Sequence, residues 1–225
     1  KSLDLPFGGP LMNMLAPLLL CAVFLAGLLA AEFRNSERGI WLTKPLASLA
    51  FVWLGLASGA MDSGYGRWIL AGLLLCMLGD LLLSPQGNQR VFRAGIFAFL
   101  SGHLAYVAAF WTQPMAASGL MAGGLLAAGF CGGVLVWLNR WLPAGMVWPV
   151  RVYMTVIGVM TALACGVTAA GGPWLVAAGA VAFTVSDVFV ARDRFIGSDF
   201  LNRALGLPLY YAAQMMLAMT SGLIS

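Results

Sequence analysis

Residues 173–191 read PWLVAAGAVAFTVSDVFVA, nineteen positions whose one charge is Asp187. A helix that crosses a bilayer needs about 20 predominantly apolar residues, within a range of about 17 to 25, so this stretch has the length and composition of a span. Seven further apolar runs, set apart by polar or Pro/Gly-rich breaks, cover Leu11–Ala31, Pro45–Met61, Trp68–Leu83, Phe92–Trp111, Met115–Leu138, Pro149–Ala170 and Leu205–Leu223. The expected fold is all-α: a polytopic membrane protein of eight transmembrane helices.

Composition excludes a soluble globular protein. Of 225 residues 61% are hydrophobic and 9% charged, against about 45 to 50% and about 25% in soluble domains. Twelve basic and eight acidic side chains are too few to solvate a surface of this size. The first run is too long for the 7 to 15 residue core of a signal peptide. The longest connection, Glu32–Lys44, leaves no room for a separate soluble unit, so residues 1–225 are expected to form a single integral membrane domain.

The net charge of +4 points to topology rather than to nucleic acid, because the basic residues form no stripe but fall between the apolar runs. Arg34, Arg38, Lys44, Arg90, Arg93, Arg140, Arg151, Arg192, Arg194 and Arg203 lie on one side, against Lys1 and Arg67 on the other. The rule that basic loops stay inside predicts a cell-membrane protein, in the bacterial inner membrane, with both termini non-cytoplasmic. Cys21, Cys76, Cys131 and Cys165 sit within apolar runs with no CxxC spacing and read as packing residues.

A 107-residue offset runs through the chain. Ala71-Gly72 precedes Asp80 as Ala178-Gly179 precedes Asp187, and Lys44 pairs with Arg151. The offset suggests two four-helix halves in parallel orientation. Gly55-x-x-x-Gly59, Gly119-x-x-x-Gly123 and Gly129-x-x-x-Gly133 are expected to be close-packing surfaces between helices.

Polar groups within apolar helices are costly and mark sites. The shortlist is Asp80, His103, Asp187 and Gln214, with Lys44 and Tyr210 near helix ends. Asp80 and Asp187 each fall three or four residues inside their runs, roughly 5 to 6 Å, with Tyr210 roughly 8 Å and His103 roughly 16 Å deep on runs that start at the same side. All six are expected to line one cavity open to the cytoplasmic leaflet. Each also has a plainer reading: the aspartates as partners of Lys44 and Arg192, His103 as an interhelical donor, Tyr210 and Tyr211 as part of an aromatic belt, Gln214 as a helix-pairing amide.

With a single histidine and no cysteine pair no zinc site is expected, and no metal or other cofactor. GxSxG, P-loop and GxGxxG motifs do not occur, which leaves carboxylate chemistry: two neighbouring carboxyls in a dry site divide into a proton donor and a proton acceptor.

The blocks Thr43-Lys44-Pro45-Leu46, Gly79-Asp80-Leu81-Leu82, Gly102-His103-Leu104-Ala105-Tyr106, Ser186-Asp187 with Ala191-Arg192-Asp193-Arg194-Phe195, and Tyr210 to Gln214 resemble, in order and spacing, the lysoplasmalogenase family of YhhN-like membrane proteins. The resemblance implies hydrolysis of the vinyl ether bond of a lysophospholipid, releasing a fatty aldehyde and a glycerophospho-base. It implies Asp80, Asp187 and His103 as the catalytic group, and Lys44, Tyr106, Arg192, Tyr210 and Gln214 as substrate contacts, with Lys44 and Arg192 at the phosphate. The partners are then the lysophospholipid substrate and membrane lipids. The residues alone also permit a proton-coupled transporter, since intramembrane Asp, His and Lys make proton relays, or a purely structural membrane protein.

Overall fold

In bilayer every backbone amide must be satisfied within its own segment, so a long apolar run has the helix as its solution. In the computed structural model, which describes residues 10–84 and 88–224, each run accordingly becomes a helix. These are α1 (Pro10–Phe33), α2 (Glu37–Ala57), α3 (Gly64–Leu83), α4 (Gln89–Trp111), α5 (Ala117–Leu138), α6 (Val147–Ala169), α7 (Trp174–Phe195) and α8 (Phe200–Thr220), with a single 3₁₀ turn at Ala144–Met146. Among the described residues there is no strand. Seven helices are long and apolar enough to cross a membrane, and the protein is an integral multi-pass membrane protein. The eighth, α8, has the length but a more polar face, carrying Asn202, Arg203, Tyr210, Tyr211 and Gln214.

Several helices begin earlier or end later than their apolar runs. Ser36 caps α2 by accepting from the Gly39 N–H, with Glu37 in the first turn where the helix dipole favours a negative charge. The expected loop Glu32–Lys44 therefore shrinks to three residues, 34–36, and Asn35 turns it with φ +51°. Lys44 and Pro45 consequently lie inside α2 and do not open it. Asp199 caps α8, which starts five residues before the apolar run, so Pro208 stands beyond its first turn. At the other end of its connection α7 continues to Phe195, so Asp187 is eight residues from that end rather than four, roughly 12 Å along the axis. In each case a polar turn at the membrane surface stays helical, because capping groups satisfy it once hydropathy no longer selects it.

Consecutive helices pair as hairpins, α1 with α2, α3 with α4, α5 with α6 and α7 with α8, and the hairpins join through α2–α3, α2–α8, α4–α6 and α6–α7. Helix α8 is the most enclosed, burying Gly206, Tyr210, Tyr211, Gln214 and Leu217 against a core that includes Phe51, Tyr106 and Phe183. A second cluster, Cys131, Val134, Leu138, Met154 and Ile157, joins α5 to α6. The basic residues of the connections 34–36, 139–146 and 196–199 and of the adjoining helix turns lie at one end of the bundle, and Arg67 at the other. Lys1, the other basic residue assigned to that far side, lies outside the described residues.

The glycine pairs divide. A Cβ on Gly119 would come 2.6 Å from the Cys165 carbonyl oxygen, and one on Gly123 would come 2.5 Å from the Cys165 Cβ, so these two glycines let α5 and α6 touch through their backbones. Gly55 packs on Leu73, but Gly59 is a turn residue with φ +84°. Gly129 and Gly133 have nothing within 4 Å of a Cβ and do not form the expected packing surface in this chain. Gly123→Ala should therefore destabilise the protein by about 1 to 3 kcal/mol, the usual cost of overpacking. Gly129→Ala should be neutral or better, and thermal unfolding of the two variants in the same detergent checks the contrast.

Candidate active site

The end of the bundle that carries the basic residues also opens into a cavity of about 430 Å³ whose wall draws on α1 to α8, with Glu32, Lys44, Asp80, Tyr153, Asp187 and Tyr210 among its lining. Two carboxylates thus share one space, and their surroundings differ.

Asp80 stands in the last turn of α3 and is only 3% exposed. Its Oδ2 accepts from Ser48 Oγ at 2.7 Å and from Tyr210 Oη at 2.7 Å, and Lys44 Nζ lies 3.7 Å from Oδ1. Ser48 follows Lys44 by four positions, so α2 presents both on one face. Tyr211 closes the shell, its hydroxyl 3.3 Å from Ser48 Oγ and from the Lys44 carbonyl oxygen. An ammonium and two hydroxyls thus converge on one carboxyl group.

Asp187 has a different company. Tyr153 of α6 donates to its Oδ2 at 3.2 Å, and His103 Nε2 of α4 lies 3.3 Å from the same oxygen. His103 is fully buried, and its Nδ1 is 2.8 Å from the Phe99 carbonyl oxygen one turn back. Phe183 joins the two halves of the site: its ring centroid is 4.2 Å from that of His103 and 5.5 Å from that of Tyr210.

Of the residues expected to share one cavity, Lys44, Asp80, Asp187 and Tyr210 line it. His103 stands behind Asp187 instead, and Gln214 is fully buried, its Oε1 accepting from Tyr106 at 2.6 Å. These two support the wall and do not form it. Arg192 does not join the site: its guanidinium pairs at 2.7 Å with Asp199, and both side chains are half-exposed. The Asn202 N–H, and after it Arg192, hold the Asp199 carboxyl below the usual carboxylate range. The cavity instead takes Arg194 and Arg203. Arg203 is held by Glu32 at 2.9 Å and Asp193 at 3.7 Å, and the Arg194 guanidinium sits 3.7 Å above the Phe92 ring.

Reading the sequence missed Ser48, Tyr153, Arg194 and Arg203 as site residues. Ser48 had a signal, its four-residue spacing from Lys44. Tyr153 had none, since a tyrosine in an apolar helix is ordinary, while Arg194 stood in the block after Asp187 and Arg203 in the topology count without either being given a place in the site. Among the described residues no group of three His, Cys, Asp or Glu side chains is placed to hold a metal ion.

The YhhN family model matches residues 39–221. The chain is 33% identical over 161 residues to lysoplasmalogenase TMEM86A of Bos taurus, an alignment covering 68% of this chain and 64% of that protein. It is 32% identical over 180 residues to lysoplasmalogenase TMEM86B of Mus musculus, covering 78% and 71%, and 34% identical over 169 residues to the lysoplasmalogenase of Mycobacterium bovis, covering 70% and 61%. The chain spans 64% of the length of the TMEM86A relative, just under two thirds. No solved structure matches the chain.

The Lys44–Asp80 pair generates a stability test. Removing one member of a buried pair strands the other charge and costs roughly 3 to 5 kcal/mol, and the partial exposure of Lys44 places this pair at the lower end. Asp80→Leu should therefore unfold more readily than wild type, and Lys44→Met added to it should restore part of the loss. Additive losses in a double-mutant cycle would show that the two side chains do not interact.

Proposed function

The chain belongs to the YhhN family, and from that membership and the two carboxylates of its cavity we propose that it is a lysoplasmalogenase, hydrolysing the vinyl ether of a lysoplasmalogen to a fatty aldehyde and a glycerophospho-base. The observation that carries this reading is the shared cavity, in which Asp80 has two hydroxyl donors and an ammonium beside it while Asp187 has one phenol and an imidazole. The enzyme names of the relatives weigh for hydrolysis over carriage of a solute.

Cleavage of a vinyl ether begins with protonation of its β-carbon, which leaves an oxocarbenium ion. One carboxyl group delivers that proton, and the other, ionised, lies against the developing cation, the division of labour used on the analogous ion in glycoside hydrolysis. Water then adds to the α-carbon and gives up its proton to the site, forming a hemiacetal. The hemiacetal hydroxyl loses its proton as the bond to the glycerol oxygen breaks and that oxygen is protonated. The products are the aldehyde and the alcohol, and the carboxyl groups return to their starting states.

The polar mouth suits the headgroup. Lys44, Arg194 and Arg203 line the cavity and give the substrate phosphate charge-assisted donors, the role first expected of Arg192. Tyr106 and Gln214 act from behind, fixing the wall on which Phe183 and Tyr210 rest. Because the basic connections surround this mouth, the cavity faces the cytoplasmic leaflet and both termini lie on the opposite side.

The decisive assay is aldehyde release from a lysoplasmalogen by protein purified in detergent. Asp80→Asn and Asp187→Asn keep size and lose the ionisable group, so each should lower turnover at least about 100-fold while the protein stays folded. A folded variant with near-normal turnover would remove that aspartate from the chemistry. For orientation, a cysteine introduced at position 36 should react with an impermeant reagent only after intact cells are permeabilised, and labelling before permeabilisation would invert the topology.

A further inference from the structure

The two aspartates differ in what they ask of a proton. Resting on the hydrolytic reading above, we propose that Asp187 is the acid of the reaction, that His103 is the positioning residue which keeps its proton, and that Asp80 is the carboxylate that meets the cation.

The argument begins at the back of the imidazole. Nδ1 of His103 lies 2.8 Å from the Phe99 carbonyl oxygen, and a carbonyl accepts only, so Nδ1 carries a hydrogen. In a neutral ring Nε2 is then a bare lone pair. Nε2 lies 3.3 Å from Asp187 Oδ2 in a place where His103 has no solvent exposure. A lone pair and a carboxylate oxygen repel at that separation, and the contact becomes favourable once a single proton is bound by the pair. It exists either as imidazole with carboxylic acid or as imidazolium with carboxylate, and the two forms differ only in where that proton sits. Nε2 makes no hydrogen bond to the protein as the side chains stand, so the two groups are joined by proximity rather than by a tight bond. Tyr153 touches the ring edge-on with centroids 5.3 Å apart while its hydroxyl donates to the same oxygen. Phe183 covers the ring face.

Asp80 has no such need, because Ser48 and Tyr210 donate to it and the Lys44 ammonium lies 3.7 Å away. The offset sharpens the contrast. His103 and Tyr210 are 107 residues apart, as are Asp80 and Asp187, and each aspartate receives one of the pair: Tyr210 of α8 reaches Asp80 of α3, and His103 of α4 reaches Asp187 of α7. At corresponding positions one carboxyl thus has a phenol, which donates a hydrogen bond, and the other an imidazole, which holds a transferable proton. Tyr153, Cys131 of α5 and Cys76 of α3 are also within electrostatic reach of Asp187.

His103 is the only histidine in the chain, so protein grown with ¹⁵N-histidine gives one unambiguous imidazole in a detergent micelle. Nδ1 should be protonated at neutral pH. The pair's proton should appear either as an imidazolium that reverts to neutral in Asp187→Asn, or as a carboxylic acid infrared band that Asp187→Asn removes. A neutral ring protonated at Nε2, or a neutral ring with no such band, overturns the proposal. Both readouts are independent of turnover, so they stand apart from failure of the hydrolytic reading itself. In kinetics, His103→Gln should lower kcat roughly 10- to 100-fold at neutral pH with KM little changed. The alkaline limb of its rate profile should move to lower pH, because Asp187 alone then holds the proton. An unshifted profile with normal kcat would make His103 a packing residue.

Discussion

A carboxylate that is 3% exposed in the last turn of a membrane helix is the constraint on which the rest of the architecture depends. A polar group in such a place is satisfied only if partners come to it, and here they come from other helices. Asp80 therefore draws Lys44 and Ser48 from α2 and Tyr210 from α8, which ties three helices at one level. Between lipid-exposed helices there is little hydrophobic drive, since hydrocarbon surrounds them on both sides of the association. Polar contacts of this kind are thus more decisive for register than they would be in water, and α8, too polar to stand alone as a span, becomes the most enclosed helix of the bundle.

The close pairing of α3 and α4 supplies the frame that keeps this geometry fixed. A Cβ on Gly79 would meet the Phe99 ring, one on Gly72 the Tyr106 ring, and one on Gly102 the Cys76 sulfur. Absent side chains on one helix are therefore the room for aromatic rings on the other. Phe99 serves the site twice, for its ring fills the space beside Gly79 and its carbonyl oxygen orients His103. A side chain added at Gly79 would accordingly act on Asp187, on a different helix, through the tilt of Phe99 and the ring it holds. Positions of this kind set the precision of a site without touching a substrate.

Much of this was legible in the sequence, for identifiable reasons. Runs of about 20 apolar residues have one structural solution in a bilayer, so the helices followed from length, and rare ionisable groups within them named Asp80, Asp187 and His103. Helix ends were less legible. The polar turns of α2 and α8 are helical because Ser36 and Asp199 cap them, whereas an apolar-run criterion stops at the first charges. Arg192 was misplaced because neighbouring residues on a helix point about 100° apart, and sequence proximity to a motif does not say which of Arg192, Asp193 and Arg194 faces inward. Tyr153 was invisible, since its importance comes from α6 packing beside α7 and from nothing local.

The separation between the charged mouth and the aspartates bears on why this end of the bundle suits an amphiphile. Arg203 lies in the first turn of α8 and is held by Glu32 near the end of α1 and by Asp193 near the end of α7, which fixes its guanidinium at the charged end of the bundle. Asp187 is eight residues inside the end of α7, roughly 12 Å along the axis. A vinyl ether lies at the junction of glycerol and hydrocarbon chain, a few bonds below the phosphate, so on the proposed reading a lipid held by its phosphate at the mouth brings that bond to the depth of the carboxylates without leaving the membrane. Proximity of this kind supplies much of the barrier lowering that a pair of carboxyl groups alone does not. The apolar walls contributed by Phe92, Phe99, Val150 and Met154 then serve the chemistry as well as the chain: they keep bulk water from the cation until the site delivers its own.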